Sequence, residues 1–130
     1  MSVARFNVLA GFHDGVYSAI TCARTLAKNI DGLTLAMLVK PSKGKYELAG
    51  PGDERLAEFV WELKNRQSSG TITTIWNDGE FETNVYEGTP EPDDYLAISD
   101  GGKLVVTTDE TKARWFVLSV NGDMIRFKTI

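Results

Sequence analysis

Short apolar stretches alternate along this chain with clusters of Gly, Pro, Asn and Asp, the spacing of short strands joined by tight turns. Arg5 to Phe12 reads as a first strand. Leu33 to Val39 and Lys45 to Ala49 read as a hairpin around the turn Pro41-Ser42-Lys43-Gly44. Thr71 to Trp76 has the β-branched and aromatic content that strands prefer. Asn77-Asp78-Gly79 predicts a hairpin turn, with Phe81 to Tyr86 pairing back. Gly88 to Asp93 predicts a loop. Tyr95 to Ser99, Leu104 to Thr108, Arg114 to Val120 and Met124 to Ile130 predict four further strands, with turns at Asp100-Gly101-Gly102 and Asn121-Gly122-Asp123.

Two stretches satisfy both periods. In Gly15 to Ile30, the residues Val16, Ala19, Ile20, Ala23, Leu26, Ala27 and Ile30 fall at helical spacing, yet Val16 to Thr21 also starts as a strand would. In Asp53 to Arg66, Leu56, Phe59, Val60 and Leu63 make a helical stripe, while Ala57, Phe59, Trp61 and Leu63 alternate as in a strand. A faint internal echo tips the second stretch towards strand. Gly44-Lys45-Tyr46 followed by Ala57-Glu58-Phe59-Val60-Trp61 resembles Gly102-Lys103-Leu104 followed by Ala113-Arg114-Trp115-Phe116-Val117.

The expected fold is therefore mostly β: a small antiparallel barrel or sandwich in one domain over 1–130. Residues 1–30 would form an N-terminal arm and first element, with room for one short helix, and 31–130 a β-rich body. Were both double-period stretches helical, the order would be β-α-β-β-α-β, a ferredoxin-like core with a C-terminal β extension.

Composition narrows the function classes. The chain has 130 residues, is 42% hydrophobic and 25% charged, and carries a net charge of −4. That balance is ordinary for a globular domain and gives no overall basic excess for nucleic acid. A single cysteine, Cys22, allows no disulfide within the chain, and with one histidine, His13, a Cys/His zinc site is not expected. No apolar run reaches the ~20 residues that span a bilayer. Residues 1–7 lack the pattern of a secretory leader. No cofactor is expected.

One segment carries a family resemblance. Gly70-Thr71-Ile72-Thr73, Gly79-Glu80-Phe81-Glu82-Thr83, Tyr86, Asp94-Tyr95-Leu96, Ser99-Asp100-Gly101-Gly102-Lys103-Leu104 and the closing Met124-Ile125-Arg126-Phe127 resemble the C-terminal half of tailed-bacteriophage capsid decoration proteins. Leu33 to Val39 and Gly44-Lys45-Tyr46-Glu47-Leu48-Ala49 are similar in outline to the N-terminal half. The resemblance implies a non-catalytic virion protein, made in the host cytoplasm, that binds the major capsid protein on the outer shell. It also implies a homo-oligomer, with a trimer as one form. A small intracellular binding or regulatory domain is the alternative, and a β-trefoil-type lectin or protease inhibitor a second, although the Q-x-W lectin repeat is absent.

Candidate partner-surface residues follow from charge and aromatic content. From Asp78 to Asp94 there are seven acids and no Lys or Arg, whereas residues 1–48 carry six basic and three acidic side chains. Glu80, Glu82, Glu87, Asp93 and Asp94 could face a basic neighbour or simply solvate a hairpin. Glu80 and Glu82 would share one strand face; a glycosidase carboxylate pair is the weaker reading of them. Trp61 and Trp76 are anchors or core, and Trp115 is expected in the core. Arg5, Phe6, Val8 and Leu9 could form an arm that adds a strand to a neighbour, or an ordinary first strand. Gly11-Phe12-His13-Asp14-Gly15 matches no phosphate-loop spacing, and Cys22 is expected as a small buried hydrophobe.

Overall fold

The computed structural model describes residues 3–11, 24–28, 30–63 and 71–130. Eleven strands order the described chain: β1 (Phe6–Gly11), β2 (Arg24–Thr25), β3 (Leu38–Ser42), β4 (Lys45–Leu48), β5 (Glu58–Leu63), β6 (Thr71–Trp76), β7 (Gly79–Thr83), β8 (Tyr95–Ile98), β9 (Leu104–Thr107), β10 (Trp115–Asn121) and β11 (Met124–Thr129). No helix occurs among the described residues, so the ferredoxin-like alternative is not this fold. The strands make two antiparallel sheets, with orders β1-β7-β11-β10-β8-β9 and β2-β6-β5-β3-β4. The architecture is a β-sandwich, not a closed barrel.

The echo in the sequence is a repeat of topology. In both sheets a hairpin (β3-β4 or β8-β9) is followed by a strand beside its first member (β5 or β10) and then by that strand's own partner (β6 or β11). Fine detail repeats too. Ala36 and Asp93 both have positive φ, 66° and 72°. Each begins the same pair of backbone bonds: Ala36 N–H donates to Val60 and Val60 N–H to Met37, as Asp93 N–H donates to Val117 and Val117 N–H to Asp94. A register shift follows in each third strand, between Val60 and Glu62 and between Val117 and Ser119. Even the sheet edges match. Leu26 bridges in parallel to Tyr46 on β4, and Tyr86 to Leu104 on β9.

The main core lies between the sheets. Phe59 on β5 is its centre, with ring centroids 5.1 Å from Phe6, 5.0 Å from Phe81, 5.5 Å from Trp115 and 5.9 Å from Phe127. Those four rings all belong to the six-stranded sheet, so one side chain ties the two layers together. Trp115 is buried, as the strand alternation requires. On the opposite face of the five-stranded sheet, Leu26, Val39, Tyr46, Val60 and Ile72 form a second, smaller cluster. There the buried Glu58 carboxylate accepts bonds from Tyr46 Oη (2.9 Å) and Thr74 Oγ1 (2.6 Å).

Two expectations need correction. Asn77-Asp78-Gly79 is not a hairpin turn. β6 pairs with β5 and β2, whereas β7 pairs with β1 and β11, so this tripeptide carries the chain from one sheet to the other. A two-residue primed turn needs positive φ, and none of the three residues has it. The tight turn is instead Lys43-Gly44, with φ of 50° and 82°. Second, the strand expected over Leu33 to Val39 starts only at Leu38 and runs to Ser42, because the left-handed Ala36 breaks the extended backbone before it. Asp53 to Arg66, which the echo tipped towards strand, is strand rather than helix over its described part: turns run up to Leu56 and β5 follows. The bonds Leu56 N–H to Asp53 and Ala57 N–H to Asp53 close that turn. Of Gly15 to Ile30, only Arg24–Thr25 and the bridge at Leu26 are strand-like among the described residues; His13, Asp14 and Cys22 lie outside them.

Candidate functional site

The crossing at Asn77 organises one end of the sandwich. Asn77 is fully buried, and its side chain uses every donor and acceptor direction it has. Its Nδ2 donates to the Glu54 carbonyl (3.0 Å) and the Ala57 carbonyl (2.6 Å). Its Oδ1 accepts from Arg114 Nε (3.2 Å) and Nη2 (2.8 Å). Its own carbonyl accepts from Trp115 Nε1 (3.0 Å) and Thr129 Oγ1 (2.8 Å). The turn before β5, the strands β10 and β11 and the sheet crossing are thereby fastened at one residue.

Glu54 extends this framework. Its buried carboxylate accepts from Gly52 N–H and from Ile98 N–H, both at 3.0 Å, so it stitches the same turn to the end of β8. The charge is met by backbone dipoles, which is how a buried acid is tolerated.

Beside the Asn77 hub opens a cleft of about 320 Å³. Arg55, Tyr95, Thr108, Asp109, Arg114 and Ile130 contribute to its walls. Arg114 is delivered by the residue before β10 and aimed by Asn77. Burial lowers its pKa; Asp78 opposes that, and the like charge of Arg55 adds to it. Among the described residues, neither Arg55 nor Arg114 has a carboxylate within 4 Å. Asp109 is committed to its own loop, its Oδ1 accepting from Thr111 Oγ1 (2.6 Å) and Thr111 N–H (2.9 Å). These bonds hold the Asp109 carboxyl below the usual carboxylate range. Two large apolar side chains in this lining face solvent: Tyr95 is 46% exposed and Ile130 64%. The arrangement combines two guanidinium groups with apolar surface, which suits recognition more than bond-breaking chemistry.

The residues singled out from sequence are dispersed. Glu80 and Glu82 do share the outward face of β7, but Glu80 pairs with Arg126 and Glu82 accepts from Asn7 Nδ2 (2.8 Å). Glu87 is exposed beside β9, its N–H donating to the Leu104 carbonyl. Asp93 is the left-handed residue before β8, and Asp94 Oδ2 accepts from Glu91 N–H (2.8 Å). Trp61 is half-buried with its ring 6.0 Å from Phe6, and Trp76 is half-buried on β6. Phe6, Val8 and Leu9 lie on β1, which pairs with β7 of the same chain; Arg5, just before it, pairs with Asp123 at 2.6 Å. Arg55, Arg114 and Tyr95 were not singled out as site residues from the sequence. The only hint is that Arg114 stands one residue before an alternating core strand.

Among the described residues, no group of three or more His, Cys, Asp or Glu is placed to hold a metal ion. In comparisons with family models, curated proteins and solved structures, the chain matches none.

Proposed function

We propose that this chain is a non-catalytic structural protein that binds the outer surface of a phage capsid and stabilises it, as a homo-oligomer. The observation that carries the reading is the grouping of exposed Tyr95 and Ile130 with Arg55 and Arg114 in one cleft, a mixture suited to a protein partner. The buried acids add to it. Glu54 and Glu58 spend their carboxylates on bonds that hold turns and strands together. The sequence resemblance supplies the identity of the partner, the major capsid protein.

The test is co-sedimentation of the purified protein with capsids of its phage, followed by reconstruction of the decorated particle. Saturable binding with density at symmetric lattice positions is the expected result. No binding at tens of micromolar, with no density on the shell, would sink the proposal and turn attention to an intracellular regulatory partner. Light scattering adds a check on assembly: a mass three times the 14.4 kDa chain is expected for a trimer.

A further inference from the structure

We infer that the cleft beside Asn77 is a carboxylate receptor: Arg55 and Arg114 take one Asp or Glu side chain of a partner protein, while Tyr95 and Ile130 hold the apolar atoms next to it. The inference rests on the structural-protein reading for the class of partner, and on the cleft alone for its chemistry.

Two guanidinium groups converge on one small cleft although like charges repel. Elsewhere in the described structure, arginines that face acids are paired with them, as Arg5 is with Asp123 and Arg126 with Glu80. Arg55 and Arg114 have no carboxylate within 4 Å among the described residues, and Asp78 acts on Arg114 only from beyond that distance. Arg114 is also fixed in direction. Its Nε and Nη2 are held by Asn77 Oδ1, so the remaining N–H groups of a planar fork point away from that anchor at no further cost in order. A pre-aimed guanidinium with a second one beside it favours a planar anion bound by several charge-assisted bonds.

The neighbours select the kind of anion. Asp109 and Glu110 also line the cleft and are exposed. Asp109 stays ionised because Thr111 stabilises its charged form. These two acids offset the net positive charge of the cleft, so an anion there is held by directed charge-assisted bonds, which a planar carboxylate matches to a guanidinium fork. The apolar side chains then argue for an acid presented on a protein. Tyr95 is braced edge-on by Phe116, with ring centroids 5.4 Å apart, and is 46% exposed. Such a ring is a preformed platform for the residue flanking the acid.

The experiment is a nuclear magnetic resonance titration of the full chain with two capped peptides, Ac-Leu-Glu-Leu-NH2 and Ac-Leu-Gln-Leu-NH2. Acetate serves as a third probe. The expected result is saturable shifts at Arg114 Nε, Tyr95 and Thr108 with the Glu peptide, and at least tenfold weaker binding of the Gln peptide and of acetate. Arg55 is exposed, so Arg55→Glu is expected to keep the folded spectrum while weakening the Glu peptide at least tenfold. Lys43→Glu, the same charge change on the distant β3-β4 turn, is expected to leave it unaltered. Equal shifts from the Gln peptide, no shifts from either peptide at 20 mM (on the order of the weak limit for one such contact), or insensitivity to Arg55→Glu would overturn the receptor. Binding of acetate as tight as the Glu peptide would overturn the protein partner. The peptides test the cleft without capsids, so its failure is separable from failure of wild-type protein to bind a capsid.

Discussion

Replacing Asn77 by alanine removes four side-chain hydrogen bonds from a fully buried position. The Arg114 end costs little, because that guanidinium is half-exposed and water replaces the lost acceptor. The other end is different. The Glu54 and Ala57 carbonyls lose their Nδ2 donor inside the protein. A buried acceptor left without a partner costs about 1–3 kcal/mol. Two of them put the loss at about 3–5 kcal/mol, a large part of the roughly 5–15 kcal/mol that holds a domain folded. Urea unfolding followed by tryptophan fluorescence measures it, and Trp115, whose Nε1 donates to the Asn77 carbonyl, reports on the site itself. Asp78→Ala in the same tripeptide is the control and is expected within about 0.5 kcal/mol of wild type. A hairpin-turn role predicts the reverse pattern of modest, similar losses at both positions. An Asn77→Ala loss under about 1 kcal/mol would refute the hub.

Further perturbations probe other features. Phe59→Ala removes the ring that meets four rings of the other sheet, and is expected to cost about 3–5 kcal/mol in the same unfolding assay; a loss under 2 would mean that the layers do not depend on it. Gly102 has φ +73°, and a Cβ there would lie 2.4 Å from Leu48 Cδ1 and 3.2 Å from the Leu38 carbonyl oxygen. Gly122 has φ +64° and open space around it. Gly102→Ala should therefore cost about 2–4 kcal/mol and Gly122→Ala about 1, so equal losses would contradict the packing argument. The Asp109 carboxyl, followed by carbon-13 resonance, should titrate below the usual carboxylate range, because the Thr111 hydroxyl and then the Thr111 N–H favour its charged form. A depressed folded pKa means that the loop's stabilisation is present above the unfolded value and lost as pH falls through the folded one. Thr111→Val keeps the N–H bond and loses the hydroxyl, so the midpoint should rise; an unchanged midpoint refutes the assignment.

Most strands were legible because they alternate. Thr71–Trp76, the β8-β9 and β10-β11 hairpins and the turn at Lys43-Gly44 follow directly from branched residues flanked by Gly. Register and sheet membership were not. Asn-Asp-Gly is read as a hairpin because its local preference is strong, but at Asn77 the side chain is consumed by partners 20 and 37 residues away in sequence. Tertiary hydrogen bonding overrides local turn chemistry there. Ala36 shows the same limit: nothing in an alanine announces a left-handed backbone. The acidic run from Asp78 to Asp94 left open one charged face or a solvated hairpin, and alternation and two loops spread its members around the sheet. The cleft was invisible because Arg55, Tyr95 and Arg114 are ordinary residues in ordinary patterns, and only the topology brings them together.

The placement of β1 has a consequence for how the chain is made. It is made before the other described strands, yet its partner is β7, and Asn7 meets Glu82 across 75 residues. Throughout synthesis of the five-stranded sheet, Phe6 and Val8 have no strand to join, while β2 to β6 can already pair among themselves. Long-range closure of this kind is slow, and an apolar strand kept waiting is open to strangers. In the finished sheet β1 is the edge strand, and its bulge between Val8 and Ala10 interrupts the regular edge it offers to another chain. The sandwich is thus closed by a strand made well before its partner, so newly made chains are exposed to mispairing in the interval.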